Sequence, residues 1–292
     1  MTNARALEKR RRSITSIRKI TRTMELIATA KYQQAMSRAV AVSDYTKRMT
    51  QLVGDLMRSG TEFSHPLLMP REETNRAALL VLSANRGMCG GFNGSVFRQA
   101  IARYDELNDE VDGLRLEASG KRGIAALRFR GIDIDEAYTQ FEDKPMFDEV
   151  DELATRYLDE YAAGKLDRLD VVYTQFLSHS KQEAVAETLL PLGSLSDEEE
   201  ETTDAGDSMY EFLPSVESIV EEVVPASFKV KLFKCFLDSA VSEQIARMIA
   251  MKAATENADE MIKHLSMTYN RARQTQITGE ILEVIGGVEA LN

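Results

Sequence analysis

Apolar residues recur in threes and fours at both ends of this 292-residue chain and cluster into short runs in its middle. Near the N-terminus, Ile20, Met24 and Ile27 step by four and three. Further on, Tyr45, Met49, Leu52 and Leu56 step four, three, four. The C-terminal segment keeps to threes and fours through Ile245, Met248, Lys252, Thr255, Ala258, Ile262, Leu265, Tyr269 and Ala272, and a last stretch runs Ile277, Ile281, Val284, Val288, Leu291. Alternating steps of three and four keep one stripe of a slightly underwound helix against a partner, the seam of a coiled coil. The pattern predicts two long helices, packed on each other, on a partner, or both.

Glycine and proline sharpen the boundaries. Residues 1–53 and 226–278 contain neither, whereas 54–225 hold all six prolines and 13 of the 16 glycines. Each would cost a helix interior about 1 kcal/mol (Gly) or about 3 kcal/mol (Pro) relative to Ala. A helix after Pro225 would extend roughly 90–100 Å at ~1.5 Å per residue, too long for a globular core of this size. The expected organisation is an N-terminal helix at 1–58, an α/β domain at 75–195, an acidic linker at 196–212 and a C-terminal helix at 213–292.

The middle reads as alternating strands and helices. Residues 77–82 form an apolar strand, followed by a glycine-rich loop and a helix from Ser95 to Leu107. Residues 114–118 predict a second strand, 121–129 a helix, and Ile132-Asp133-Ile134 the start of a third strand. An acidic amphipathic helix at 147–161, a strand at 169–177 and an antiparallel edge at 183–189 complete the set. Such alternation implies a small, mainly parallel sheet covered on both faces.

Composition adds exclusions. A 43% hydrophobic fraction argues against disorder. Cys89 and Cys235 lie too far apart in sequence to read as a disulfide framework or metal cassette and are expected to be free thiols. His65, His179 and His264 are scattered, so no metal site is expected. No apolar run approaches the ~18 residues of a membrane span. The glycines at 87, 90, 91 and 94 fit neither a P-loop nor a dinucleotide fingerprint, so a tight turn with close packing is expected and no cofactor. Acid pairs such as Asp148/Glu149 and Asp151/Glu152 read as a solvated helix face, and no catalytic constellation stands out.

Charge is unevenly spread. The net charge is −11, but residues 1–58 carry 13 Lys/Arg against 4 Asp/Glu, residues 229–292 carry 8 of each, and 59–228 hold the balance of −20. The basic clusters Lys9-Arg10-Arg11-Arg12 and Arg18, Lys19, Arg22 lack the interleaved aromatics that stack nucleic-acid bases. The basic helix therefore reads as a solvated face or as the match of an acidic protein partner.

Three motifs in order then resemble the gamma subunit of F-type ATP synthases, the central-stalk rotor subunit. The C-terminal one runs Ser242-Glu243, Ala246-Arg247-Met248, Ala250-Met251 and 253–258, then 269–274, Ile277-Thr278-Gly279-Glu280-Ile281 and Ile285-Gly286-Gly287. The N-terminal one comprises Arg10 to Ile14, Lys19 to Met24 and Ala28-Thr29-Ala30-Lys31. Between them stands the loop Arg86 to Asn93, with Met88 where the family more often has Leu.

The resemblance implies an α/β fold with a long α-helical coiled coil. In it, the N- and C-terminal helices form an antiparallel left-handed coiled coil and the middle a small Rossmann-like, mainly parallel sheet. It further implies a non-catalytic rotor shaft that transmits torque between the membrane ion-driven ring and the catalytic head, with no active site of its own. Its partners would be the alpha and beta subunits of the head, the epsilon subunit and the membrane c-ring, with no nucleic acid and no membrane span. Contacts with the head would fall on Arg273, Gln274 and Thr278, with Met24 and Arg22 opposite, and on the apolar end at Ile281 and Ile285. Ring contacts would fall on Tyr210 and Glu211. Leu213 stands where the family usually has Glu, and Gly279 where a longer polar side chain is usual. The first motif begins within ten residues of Met1, so a bacterial protein at the cytoplasmic face of the inner membrane is expected, without a transit peptide. The alternatives are a nucleotide-binding α/β enzyme with coiled-coil arms and an unrelated coiled-coil adaptor.

Overall fold

A computed structural model describes residues 4–58, 66–68, 71, 74–141, 144–192 and 216–289, the side chains of 50–58, 216–220 and 289 excepted. The helices are α1 (Ala4–Arg58), α2 (Phe92–Glu110), α3 (Lys121–Phe129), α4 (Phe147–Ala162) and α5 (Val216–Glu289). The strands are β1 (Arg76–Leu82), β2 (Gly113–Ser119), β3 (Glu136–Tyr138), β4 (Arg168–Phe176) and β5 (Gln182–Leu190). The chain divides into two compact units, one of residues 1–29 with 247–292 and the other of residues 30–246.

The larger unit is built on one sheet in the order β3-β2-β1-β4-β5. All neighbours run parallel except β4 and β5, which are antiparallel, as the sequence predicts for the edge. β1 is buried along almost its whole length because both faces are covered. Ala78, Leu80 and Leu82 point to a core shared with α4 (Val150, Leu153, Ala154) and α5 (Phe228, Leu232, Val241). Leu79 and Val81 point the other way, to Val96 and Leu107 of α2 and Ile124 and Leu127 of α3. The period-2 alternation of a strand thus assigns successive residues to two cores.

The β2–α3 turn depends on glycine. Gly120 has φ +96°, and a Cβ there would lie 2.0 Å from the Ser83 carbonyl oxygen. Only glycine adopts that backbone and leaves that space. The Ser83 hydroxyl donates to the Ser119 carbonyl at 2.7 Å and accepts the Gly123 N–H at 2.9 Å, locking β1 to β2 and to the start of α3.

Two local expectations need correction. The third strand starts at Glu136, not Ile132. Ile132 and Ile134 pack under α3, the Ile132 N–H closes that helix on the Leu127 carbonyl, and the Asp135 carboxylate accepts the Leu116 N–H at 2.8 Å, so pairing begins only afterwards. α2 starts at Phe92, three residues early, because Asn93 braces the preceding loop from within the helix. α5 runs from Val216 through Pro225. The missing N–H costs about 3 kcal/mol, and the complete burial of Val224 and Phe228 on either side offsets it.

Candidate functional site

The smaller unit is a two-helix element, and its seam is partly polar. On α1, Leu7, Thr21 and Ala28 are buried and Arg11, Ile14, Arg18 and Glu25 half-buried, a strict four-three spacing. On α5 the facing set is Met251, Ala258 and Leu265, buried, with Thr255, Ile262, Tyr269 and Ala272 half-buried. Cross-helix contacts fix the direction. Thr21 meets Thr255 at 2.9 Å, Arg18 meets Asp259 at 2.9 Å, and the Arg11 guanidinium lies 5.2 Å from the centre of the Tyr269 ring. As residue numbers fall along α1 they rise along α5, so the pair is antiparallel. The small Ala28, Thr21 and Ala258 side chains let the backbones approach closely.

The predicted α5 seam is correct from Thr255 to Ala272, with Met251 in place of the exposed Lys252. The α1 stripe is correct in period and wrong in face. Ile20 and Ile27 are 55% and 51% exposed, and Ile17 and Leu26 are similarly open. α1 therefore carries two stripes. One, with small and polar residues, faces α5; the other, with bulky isoleucines, faces away. Hydrophobic periodicity finds the second because the first contains Arg11, Arg18, Thr21 and Glu25. The signal for the true seam was the 3-4 repeat of small residues matched between the helices.

The sequence-predicted contact residues fall in two places. Arg22 is exposed and ion-paired to Glu25 at 2.8 Å, and Met24 is half-buried at the level of Met251. Arg273, Gln274, Thr278, Ile281 and Ile285 are all exposed in the last turns of α5. The Thr21–Thr255 register puts Met24 near residue 252, roughly 30 Å along the helix from Arg273. The two sets are thus not opposite one another. Beyond Ala272, every described α5 side chain except the glycine at 279 is exposed, including Ile277, Leu282, Val284 and Val288. Among the described residues nothing covers this apolar end. Tyr210 and Glu211 lie outside the described residues.

The carboxyl ends of the strands are where such sheets usually take ligands. Above β1 and β2 that space is occupied by α5, whose Phe236, Ser239, Ala240 and Glu243 leave a cavity of about 30 Å³, room for one water. The glycine-rich loop packs rather than cradles. Met88 (φ 64°) and Gly90 (φ 55°) turn the chain, and the Asn93 side chain accepts the Ala84 N–H and donates to the Cys89 sulfur at 3.0 Å. Cys89 and Cys235 are buried and not joined in a disulfide. Burial, then the nearby Glu187 carboxylate, pushes the Cys235 thiol well above its ordinary pKa, which leaves it unreactive. Among the described residues no group of three or more His, Cys, Asp or Glu could hold a metal, and no helix is long and apolar enough to cross a membrane.

Two buried charge clusters escaped the sequence reading. Glu117 on β2 is fully buried, accepts the Tyr138 and Tyr157 hydroxyls at 2.7 Å each and the Arg156 guanidinium at 2.5 Å, and lies 2.8 Å from Arg115. Asp238 on α5 is buried between Lys234 on its own helix, Glu187 of β5 and the Phe176 backbone. No linear motif announces either, since the members of each come from three separate elements.

A long antiparallel helix pair, with one end left open, joined in sequence to a small α/β unit is the design of a stalk subunit. Comparison with known proteins agrees: the ATP synthase family model matches residues 3–291. The ATP synthase gamma chain of Rhodopirellula baltica is 62% identical, covering 100% of this chain and 99% of that protein. Those of Leptospira biflexa and Nocardioides sp. are 36% and 37% identical over at least 93% of both partners. The chain belongs to the ATP synthase gamma-chain family. Its fold is that of a chain in the Euglena gracilis mitochondrial ATP synthase OSCP/F1/c-ring structure, with TM-score 0.66, 18% identity and coverage of 99% of this chain and 94% of that one. A chain of the Tetrahymena thermophila mitochondrial ATP synthase central stalk/c-ring structure matches with TM-score 0.55, 18% identity and coverage of 80% and 99%.

Proposed function

We propose that this chain is the non-catalytic central rotor shaft of an F-type ATP synthase, coupling ion flow through a membrane ring to ATP synthesis or hydrolysis in the catalytic head. The observation that carries this reading is the open end of α5: a helix that outruns its partner and exposes Ile277, Ile281, Ile285 and Val288. A bare apolar helix end is suited to turning inside a sleeve formed by other subunits. Arg273, Gln274 and Thr278, exposed just before it, would contact the moving loops of the alpha and beta subunits. Arginine suits that role because its guanidinium pairs bidentately with carboxylates. Arg22 and Met24 would form a second contact level lower on the shaft.

The antiparallel pair supplies torsional stiffness, which a single helix lacks. The α/β unit would form the foot, meeting the epsilon subunit and, through Tyr210 and Glu211, the c-ring. The chain would then be a peripheral protein at the cytoplasmic face of a bacterial inner membrane, with an active site only in its partners. ATP hydrolysis by the purified chain alone would sink the reading. The expected result is no hydrolysis by the isolated chain, together with impaired coupling or assembly when Arg273 or Gln274 is replaced by Ala in the reconstituted complex.

A further inference from the structure

α5 changes composition where its packing ends. The Arg11 guanidinium over the Tyr269 ring and the half-buried Ala272 close the seam with α1. The Thr21–Thr255 contact sets the register there: seventeen residues back from Thr21 stands Ala4, the first described residue of α1, and seventeen on from Thr255 stands Ala272. Of the seventeen residues 256–272, two are β-branched and none is glycine. Of the seventeen residues 273–289, seven are β-branched and three are glycine. Glycine is the poorest helix former after proline, and a β-branched side chain loses χ1 freedom against the preceding turn. The segment level with α1 is therefore made of better helix formers than the one beyond it.

Packing does not offset that weakness. Gly279, Gly286 and Gly287 each have open space where a Cβ would stand, so no close approach within the chain asks for glycine there. Ile277, Ile281, Val284 and Val288 step four, three, four along one stripe, yet all four are exposed. An amphipathic helix draws most of its stability from burying such a stripe. The last turn holds Glu289 and no basic residue, the unfavourable sign for the negative pole of a helix. Local support comes from the exposed Gln276–Glu280 hydrogen bond at 2.9 Å, a pair of small effect.

We propose that residues 273–289 of α5 are a conditional helix, mostly melted in the free chain and helical once an apolar sleeve covers the stripe, so that this end of the shaft folds as it enters the catalytic head. The identity of the sleeve rests on the rotor reading; the melting depends on this chain alone. The helical form is then the one that assembly selects, and binding bears the cost of ordering it.

Amide hydrogen exchange tests both halves. In the full free chain, the amides of 277–289 should exchange within about tenfold of the unstructured rate, and those of 256–269 should be protected at least about a hundredfold more. In the reconstituted complex the amides of 277–289 should become protected as well. A chain carrying Gly279→Ala, Gly286→Ala and Gly287→Ala should gain at least about fivefold protection over 277–289 when free, with 256–269 unchanged. Strong protection of 277–289 in the free parent chain, or protection unaltered by the three substitutions, overturns the proposal and leaves the rotor reading standing. A segment that stays unprotected in the assembled complex overturns the coupling to assembly. A chain that does not join the complex overturns the rotor reading, and exchange in the free chain still decides the melting.

Discussion

Thr21 and Thr255 face each other across the helix pair with their hydroxyl oxygens 2.9 Å apart. Thr255 also reaches the Met251 carbonyl at 2.8 Å, and Thr21 the Arg18 carbonyl at 3.1 Å. Each hydroxyl has one proton, so one donates across the seam and the other to its own helix. The contact fixes the register of the shaft at a level where the seam is otherwise built from small side chains. Thr21→Val alone should cost about 1 kcal/mol, since it removes the hydrogen bond across the seam. Changing both to Val should cost less than the sum of the two single losses. Urea titrations of the four-member cycle measure this, and strictly additive losses would refute the pairing.

The Arg18–Asp259 bridge is expected to matter less, despite its 2.9 Å length. Both side chains are nearly half exposed, at 42% and 46%. Water and salt screen such a pair, and its contribution should stay within about 1 kcal/mol. Arg18→Ala should therefore barely move the unfolding midpoint in 0.5 M salt. A large loss there would mean that the pair is more than a surface contact.

Glu117 should behave differently because it has no water to fall back on. Glu117→Ala leaves the buried Tyr157 hydroxyl and the partly exposed Tyr138 hydroxyl and Arg156 guanidinium without their acceptor, with an expected cost of roughly 1–3 kcal/mol. Burial, followed by the adjacent Glu117 charge, raises the Tyr157 hydroxyl well above its ordinary pKa, and burial with a hydrogen bond to Glu117 raises that of Tyr138. A raised folded-state pKa means that the folded state holds its proton longer than the unfolded chain. The stabilisation is present below about pH 10 and is lost as the pH climbs further. Alkaline titration should show these two tyrosines ionising only on unfolding. Spectra that show all tyrosines ionising together near pH 10 in the folded protein would contradict this.

Asp238 carries the opposite lesson. Its burial, opposed by Lys234 and reinforced by Glu187, lifts its carboxyl to about 6. Lys231, on α5 like Asp238, pairs with Glu187 of the facing strand at 2.8 Å. The folded state thus prefers the protonated acid. That preference is fully expressed below about pH 4 and is lost as the pH rises through about 6, so at pH 7.5 the ionised carboxylate weakens the packing of α5. Asp238→Asn should raise the unfolding midpoint at pH 7.5, by up to about 3 kcal/mol of stability, and have little effect at pH 4. Equal effects at both pH values would exclude titration of this group as the cause.

Removing residues 277–292 separates folding from function. The described side chains of that stretch are exposed apart from Gly279, and they meet no facing helix. The truncated chain should keep the thermal midpoint of the full chain. If the shaft reading is right, it should nonetheless lower coupled ATP synthesis in the assembled complex. A destabilised truncation would show that this end is anchored within the chain.

Much of this architecture is legible in the sequence. The glycine- and proline-free ends set two long helices, because nothing in them interrupts the backbone bonds. The strand at 77–82 and the antiparallel edge follow from apolar runs bounded by turn residues. Even the α5 seam from Thr255 to Ala272 can be read from spacing alone, because there the small and apolar residues coincide with the packed face.

The tertiary structure decided what spacing cannot. α1 bears two stripes of the same period, and only the register with α5 turns Thr21 and Ala28 inward and leaves Ile20 and Ile27 outside. The reason is physical: a coiled coil of close approach selects small side chains, whereas hydrophobic periodicity weights large ones. Likewise Glu117 and Asp238 look ordinary in the sequence. Their character comes from burial, and burial is set by residues tens of positions away that only the folded chain brings together.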